Sequence, residues 1–195
     1  PYINKSKALS VADGKARSIA PTSFTVATED YVLARRLFLY LPKMAATQEA
    51  SDFIEFAISP EGQKIVNEVG FVSQNIMSGE VEHDEGAPEE YLRLTEGAER
   101  LSLNFRFQPG TIYLDNKAQR DVERIKQFLK HPENHKRELM LFGFADTNES
   151  MPLVAHQLSV SRADVVADLL IKEGLNPYKV RGYGNAVPVA SNETN

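Results

Sequence analysis

Cysteine and tryptophan are missing from this sequence, and its 195 residues include four histidines. The lack of cysteine excludes disulfide bonds, thiolate nucleophiles and zinc sites built on cysteine. Basic residues are also few, because 22 Lys and Arg stand against 27 Asp and Glu, for a net charge of -5. A general nucleic-acid-binding protein carries a basic face, so no nucleic-acid partner is expected.

Long hydrophobic runs are the second absence. The longest, from Leu37 to Leu41, has the size of a strand, whereas a helix that spans a bilayer needs roughly 18 apolar residues. The sequence therefore predicts no transmembrane segment, and no signal-peptide pattern opens it. It begins with Pro1 and ends at Asn195, directly after a strand-like segment. We expect the chain to be a piece of a longer protein.

The composition that is present indicates a folded chain. Hydrophobic residues make up 42% of the sequence and charged residues 25%, both close to the globular norm, and the length suits one or two domains. The patterns divide the chain into a first part (1–76), an acidic linker with a short helix (77–100) and a third part (101–195). The predicted fold class is α/β (α+β).

The first part is predicted to mix strands and helices. Residues 7–12 and 23–28 alternate like strands, and residues 37–42 have the pattern of a short buried run. Two helices follow, and the second begins with Ser59 as its N-cap and ends at Gly70. Their apolar stripes hold Phe53, Phe56 and Ala57, then Ile65, Val66 and Val69. These faces are too many for the segment to cover, so we expect it to be poorly packed or partly exposed.

The linker is acidic. Residues 80–90 hold six carboxylates with Gly86 and Pro88 among them, and such a run repels itself and offers few apolar anchors. We expect this segment to be exposed. His83 lies inside it, and a solvated loop is favoured over a metal site, because one histidine among mobile acids supplies no fixed geometry.

The third part alternates strands and helices in the order β-α-β-α-β, which favours a sheet with helices on one face. Asp115 can cap the first of these helices, and Gly174 ends the second, which carries Arg162. The apolar stripe of the first helix is Ala118, Val122, Ile125 and Leu129. Strands are predicted at 101–107, 138–144 and 179–184.

Two charges in this part need an explanation. Arg162 lies at the edge of the apolar stripe that contains Val165 and Val166, where a charge requires a partner. Asp146 follows the end of a strand, a place where loops commonly carry function. A structural ion pair between the two and a shared ligand site are both open on these grounds.

The motifs of the third part resemble a known family. LNFRFQPGTIYLDN, LFGFADTNE, LSVSRADVVADLLIKEGL and VRGYGNAVPVASNET, in this order, look like the OmpA-like C-terminal domain. The resemblance implies binding of peptidoglycan, without catalysis or cofactor, by a protein of the Gram-negative periplasm or outer membrane. It implies that Asp146 meets the amine and Arg162 the carboxylate of diaminopimelate in the peptide stem. Thr147, Asn148 and Ser159 are the supporting residues that we expect.

The sequence departs from the family pattern in several ways. Phe144, where the family has His, is expected to fill the core, and Ala155 stands where Asn is frequent. The spacing from Asp146 to Arg162 is one residue longer than in the family, and the family's Asn-Arg-Arg motif and last strand would follow Asn195. The two main charges are kept while supporting donors are fewer, so a decayed, purely structural module is a further alternative.

The first part resembles a second family. TSFTVATEDYVLARRLFLYLPK and FIEFAISPEGQKIVNEVGFV, within residues 22–72, look like the C-terminal part of periplasmic phosphate-binding proteins of ABC transporters. The resemblance implies an alternative function, a phosphate receptor that the OmpA-like part localises. The phosphate ligands of that family lie mostly upstream of this segment, so none is assigned here.

Catalysis is not predicted. HExxH and GxSxG motifs are absent. A hydrolase built from Asp146, His156 and Ser159 lacks the strained elbow and oxyanion loop that would activate the serine. Packing is favoured over sugar stacking for Tyr183 and over a phosphate cradle for Gly143.

Overall fold

The computed structural model describes residues 7–12, 17–42, 47–83, 86–146 and 151–186. The chain divides into two compact units. The N-terminal unit consists of Pro1–Val11 and Ser18–Met77, and the C-terminal unit of Ala12–Arg17 and Ser78–Asn195. Helices and short strands occur together, so the predicted mixed α/β class is confirmed. No helix in these ranges is long and apolar enough to cross a membrane.

The N-terminal unit holds helices α1 (Ser23–Ala27), α2 (Gln48–Ile58) and α3 (Pro60–Glu68), and an isolated bridge pairs Val11 with Ile19. The prediction of a strand at 23–28 is wrong, because a capping box favours a helical turn there. The Thr22 hydroxyl accepts from the Thr25 N–H at 3.1 Å, and the Thr25 hydroxyl accepts from the Thr22 N–H at 3.0 Å. The predicted strand at 7–12 is reduced to the bridge at Val11.

The junction between α2 and α3 follows the prediction. The Ser59 hydroxyl caps α3 by accepting from a backbone N–H of its first turn at 3.1 Å. Gly70 has a φ of 91°, the left-handed conformation expected just after a helix. The buried side chain of Gln63 then joins the segments, since its amide donates to Ala57 O at 2.8 Å and accepts from the Gln74 N–H at 2.6 Å.

Apolar side chains of the N-terminal unit are largely exposed. The run at 37–42 is not the predicted buried segment, because Phe38 is 56% exposed and Tyr40 is 86% exposed. This run belongs to no helix or strand among the described residues. Leu37, Leu39, Phe53, Phe56, Ile65 and Val69 are exposed as well. The expectation that the first part leaves apolar faces uncovered therefore agrees with the structure.

The described C-terminal unit contains two two-stranded sheets. Strands β1 (Ser78–Glu80) and β2 (Glu99–Leu101) pair antiparallel on either side of α4 (Glu89–Thr95) in the chain. After them come α5 (Ala118–Lys130), β3 (Met140–Gly143), α6 (Pro152–Lys172) and β4 (Lys179–Gly182). β3 and β4 pair in parallel, and α6 is the crossover that a parallel pair requires. The two predicted helices and the last two predicted strands are thereby confirmed.

The predicted strand at 101–107 is largely wrong. β2 ends at Leu101, the first residue of the predicted strand. The next two residues, Ser102 and Leu103, are both buried, whereas consecutive residues of a strand point to opposite faces. Phe107 forms an isolated bridge with Leu114 instead. The apolar residues of 101–107 alternate in an irregular segment whose residues are buried or half-buried.

Helix α5 also begins differently from its prediction. Lys117 occupies the N-cap position without a side-chain cap. Asp115 accepts from the Lys117 N–H at 3.0 Å, so it forms an Asx turn that leads into the helix. Asp121 in the first turn is buried and pairs with Arg124 at 2.6 Å, which adds a paired charge to the predicted apolar stripe.

The acidic segment clusters with the C-terminal unit, and its described residues are exposed or half-buried, as its charges predict. Helix α4 buries Tyr91 and Thr95, and Glu90 pairs with Arg181 of β4 at 3.1 Å. A spacing of four residues puts Tyr91 and Thr95 on one helical face, a signal that the run of carboxylates obscured. The Tyr91 ring packs edge-on against Phe142, Phe144 and Tyr183.

These four rings form an aromatic cluster on one face of the β3–β4 sheet. Phe142 and Phe144 alternate with Gly143, whose face contacts α6, so the cluster lies on the opposite face. Tyr183 packs within it, as predicted. Phe144 is 36% exposed, so it lies at the edge of the cluster and does not fill the core as expected.

The other face of the sheet lies very close to α6. A Cβ at Gly143 would overlap the main-chain oxygen of Ser159 and lie 3.1 Å from the Ala163 Cβ. A Cβ at Gly182 would lie 2.6 Å from the Ser159 Oγ. The prediction that Gly143 serves close packing is confirmed. Around this contact the core of the unit is formed by Val122, Ile125, Ala155, Ala163, Val166 and Leu170.

Gly143→Ala is expected to destabilise the C-terminal unit by about 3 kcal/mol or more. Overpacking costs roughly 1–3 kcal/mol, and here the new methyl group meets rigid backbone. Gly97→Ala is the matched variant, since Gly97 has a φ of 71° but open space around it, and it should cost about 1 kcal/mol. Urea unfolding measures both. A smaller loss at Gly143 than at Gly97 would contradict the close contact.

Burial raises the pKa of the Tyr183 phenol, and the charge of Glu90 raises it further. The unfolded pKa is about 10, so the stability tied to the neutral phenol is present below about pH 10 and is lost as the pH rises through the folded pKa. Tyr183→Phe removes this titration. It also removes a buried hydroxyl that has no hydrogen-bond partner among the described residues.

We therefore expect Tyr183→Phe to be at least as stable as the parent at about pH 7 and to lose less stability at alkaline pH. Urea unfolding at about pH 7 and about pH 10.5 measures the difference. Tyr178→Phe is the control, because Tyr178 is 63% exposed. The same alkaline loss in the parent and in Tyr183→Phe would show that the buried phenol is not responsible.

Candidate functional site

Arg162 is the buried charge of the candidate site. It lies on α6 and is 6% exposed. Its Nε donates to Thr111 O at 3.0 Å, its Nη1 to Phe144 O at 3.4 Å and its Nη2 to Gln108 O at 3.5 Å. Its Cζ lies 5.2 Å from the centroid of the Phe107 ring. Three main-chain carbonyls and an aromatic face thus surround a permanently charged side chain.

Residues 107–114, here called the carbonyl loop, close on themselves. The Gln108 N–H donates to Tyr113 O at 2.9 Å, the Thr111 N–H donates to Gln108 O at 3.1 Å, and the two end residues pair in an isolated bridge. Gly110 has a φ of 67°, which a residue with a Cβ adopts only at a cost. The loop's own backbone bonds therefore fix the two carbonyls that it presents to the guanidinium.

Asp146 lies half-buried just beyond the carboxyl end of β3. The preceding residue, Ala145, is buried, and its N–H donates to Gly184 O at 2.9 Å beyond the matching end of β4. Phe144, two residues before Asp146, supplies one of the carbonyls that accept from Arg162. The predicted acid and base are therefore found at the same end of the parallel sheet, the end at which α/β folds commonly bind ligands.

Ser159 lies on the face of α6 that packs against the β3–β4 sheet. Its hydroxyl is buried, accepts from the Gly184 N–H at 2.8 Å and donates to His156 O at 2.7 Å. Gly184 in turn accepts from Ala145, the residue before Asp146. These bonds connect Ser159 through Gly184 to the residue before Asp146, while direct contact of the Ser159 hydroxyl with a ligand stays a prediction.

The other expected supporting residues, Thr147 and Asn148, follow Asp146 in the sequence and fall outside the described residues. Ala155, at the position where the family favours Asn, is 0% exposed inside the first turns of α6. An amide placed there would be buried and would need its own hydrogen-bond partners, so the small apolar side chain fits this packing.

No pattern in the sequence identifies Phe107, Gln108 and Thr111 as residues of the site. Gln108 and Thr111 act through main-chain carbonyls, which every residue has, and they lie 54 and 51 residues from Arg162 in the chain. The Pro109-Gly110 pair is the one local signal, and it marks a turn without indicating what the turn contacts.

Metal and nucleophile chemistry find no support in the described ranges. They contain no group of three or more His, Asp or Glu side chains that could hold a metal ion. His83 is exposed, and its Nε2 lies 2.7 Å from the Thr95 hydroxyl. That hydroxyl donates to Tyr91 O at 2.7 Å, so the histidine is the donor to Thr95. The Ser159 hydroxyl meets the main chain of His156, not its ring.

Ser159→Ala should destabilise the C-terminal unit by about 1–3 kcal/mol, because the buried Gly184 N–H loses its acceptor. Amide hydrogen exchange at Gly184 and Ala145 should become faster, which NMR on the full chain can measure. Ser161→Ala, on the same helix but only half-buried, is the control and should change stability by less than about 0.5 kcal/mol. Unchanged exchange at Ala145 would contradict this connection between Ser159 and Ala145.

The comparisons with known proteins bear on this part of the chain. No curated protein matches the chain. Residues 22–72 lie outside the residues that match a family model, so their resemblance to phosphate-binding proteins stays a prediction. The match covers residues 106–195, which include the carbonyl loop, Asp146 and Arg162. These residues match the model of the OmpA family, which supports the resemblance of the third part of the chain to OmpA-like domains.

Proposed function

We propose that the C-terminal unit binds peptidoglycan without catalysis and holds its protein to the cell wall, in the periplasm or at the outer membrane. The observation that carries the proposal is the placement of Asp146 and Arg162 at one end of the β3–β4 sheet. Both lie within the residues that match the OmpA family, whose domains generally bind peptidoglycan.

The proposed ligand group is the diaminopimelate of the peptide stem. Its side chain ends in an ammonium and a carboxylate, so a fixed pair of opposite charges complements it. The planar guanidinium of Arg162 suits the carboxylate, and the Asp146 carboxylate suits the ammonium. The carbonyls around Arg162 carry no net charge, so they orient the guanidinium without cancelling its charge.

Burial makes a site of this kind selective for a zwitterion. The interaction of two charges strengthens as water is excluded, and a buried charge without compensation is costly. A ligand that carries both charges can pair with Arg162 and Asp146 together, whereas a simple anion can pair with Arg162 alone. Thr147 and Asn148, which follow Asp146 in the sequence, are proposed as additional polar contacts.

A binding role also agrees with the hydroxyl chemistry of the site. Ser159 is buried, and its proton is already donated to His156 O. A serine nucleophile needs an exposed hydroxyl and an adjacent base. The described residues near Asp146 and Arg162 therefore support recognition of the ligand and no bond cleavage.

Asp146→Ala and Arg162→Ala should each weaken binding of the full chain to purified sacculi by roughly tenfold or more, because each removes one partner of a charged hydrogen bond. Arg162→Lys should also bind weakly, since an ammonium cannot reproduce the planar fork. Arg181→Ala is the matched control: Arg181 is exposed and pairs with Glu90 on the face that carries the aromatic cluster. Co-sedimentation measures binding, and circular dichroism confirms folding.

Free diaminopimelate should compete with sacculi for the parent protein, whereas inorganic phosphate at the same ionic strength should not. Binding of folded Asp146→Ala and Arg162→Ala at the strength of the parent would refute the assigned site. A structural pair between the two side chains would instead lower the stability of both variants and leave their affinity unchanged.

A further inference from the structure

We infer that Phe107 is a positioning residue for Arg162, and that its ring sets the orientation in which the guanidinium meets an anionic ligand group. The inference rests on the proposed function of the site. It assigns a role to a side chain that carries no charge and lies 55 residues before Arg162 in the numbering of the chain.

The three carbonyl bonds to the Arg162 guanidinium differ in length. The Nε bond to Thr111 O, at 3.0 Å, has an ordinary length for N–H···O. The bonds to Phe144 O and Gln108 O, at 3.4 and 3.5 Å, lie beyond the usual range of about 2.7–3.2 Å. One short bond and two long ones restrain the plane of the guanidinium less tightly than three short bonds would, so a contact with the guanidinium face adds to the restraint.

The Phe107 ring supplies that contact. Its centroid lies 5.2 Å from the Arg162 Cζ, within the distance of about 6 Å at which the negative face of a ring attracts a cation. Arg162 is almost fully buried, and the attraction is stronger where water is excluded. An aliphatic side chain of similar volume would fill the space without this attraction.

The backbone of the carbonyl loop makes Phe107 separable from the rest of the site. The loop is held by the main-chain bonds of Gln108 with Tyr113 and of Thr111 with Gln108. The bridge between Phe107 and Leu114 is also a main-chain pairing. A change of the Phe107 side chain therefore removes the ring and keeps the bonds that form the loop.

Phe107→Leu and Phe107→Tyr in the full chain test the inference. Phe107→Leu should weaken binding to sacculi by roughly 2- to 30-fold, and Phe107→Tyr, which keeps the ring, should bind within about twofold of the parent. Phe142→Leu is the matched control, because Phe142 packs in the aromatic cluster on the other sheet face. It should lower the thermal midpoint and leave affinity unchanged. Phe107→Met replaces Phe107→Leu if the latter does not fold.

The NMR signal of the Arg162 Nε–H separates this inference from the proposed function. In Phe107→Leu it should lose its ring-current shift and exchange faster with water, and in Phe107→Tyr it should keep both properties. Parental exchange of this proton in folded Phe107→Leu, or equal losses of binding in the Tyr and Leu variants, would overturn the inference. Absence of sacculus binding in the parent protein would remove the proposed function, and the exchange measurement would still decide whether Phe107 holds Arg162.

Discussion

The contact between α6 and the parallel pair β3–β4 is the constraint on which the C-terminal unit depends. Gly143 and Gly182 leave no room for a Cβ, so the helix backbone lies almost against the strands at Ser159. This distance lets the Ser159 hydroxyl reach the Gly184 N–H, and Gly184 holds Ala145 in turn. The position of the half-buried Asp146 thus depends on the two glycines and on Ser159.

The same helix carries Arg162, three residues beyond Ser159, to the carbonyl loop. A buried charge is tolerated only where polar groups replace water, and here three main-chain carbonyls and one aromatic ring do so. These groups are uncharged, which suits a residue whose proposed ligand supplies the negative charge. Asp146 is positioned by the ends of the sheet strands, and Arg162 by the carbonyl loop. Both of these elements contact α6.

The opposite face of the sheet shows how a charged segment becomes part of a fold. Residues 80–90 repel one another by charge, yet Tyr91 and Thr95 give α4 one buried face. The cluster of Tyr91 with Phe142, Phe144 and Tyr183 covers a sheet surface that would otherwise face water. Apart from Ala12–Arg17, the C-terminal unit therefore begins at Ser78, whereas the match to the OmpA family begins at residue 106.

Local sequence determined the elements whose signals are local: the stripes of α5 and α6, the strands β3 and β4, the cap at Ser59 and the glycine stop at Gly174. The family motifs also selected Asp146 and Arg162. Tertiary structure decided the remainder. The expected strand at 101–107 is interrupted where the consecutive residues Ser102 and Leu103 are both buried, and the run at 37–42 is exposed and belongs to no helix or strand among the described residues. The contacts of Arg162 with Gln108 and Thr111 span more than fifty residues and use main-chain carbonyls. Since every residue has such a carbonyl, side-chain patterns carry no information about which ones a fold will bring to a charge.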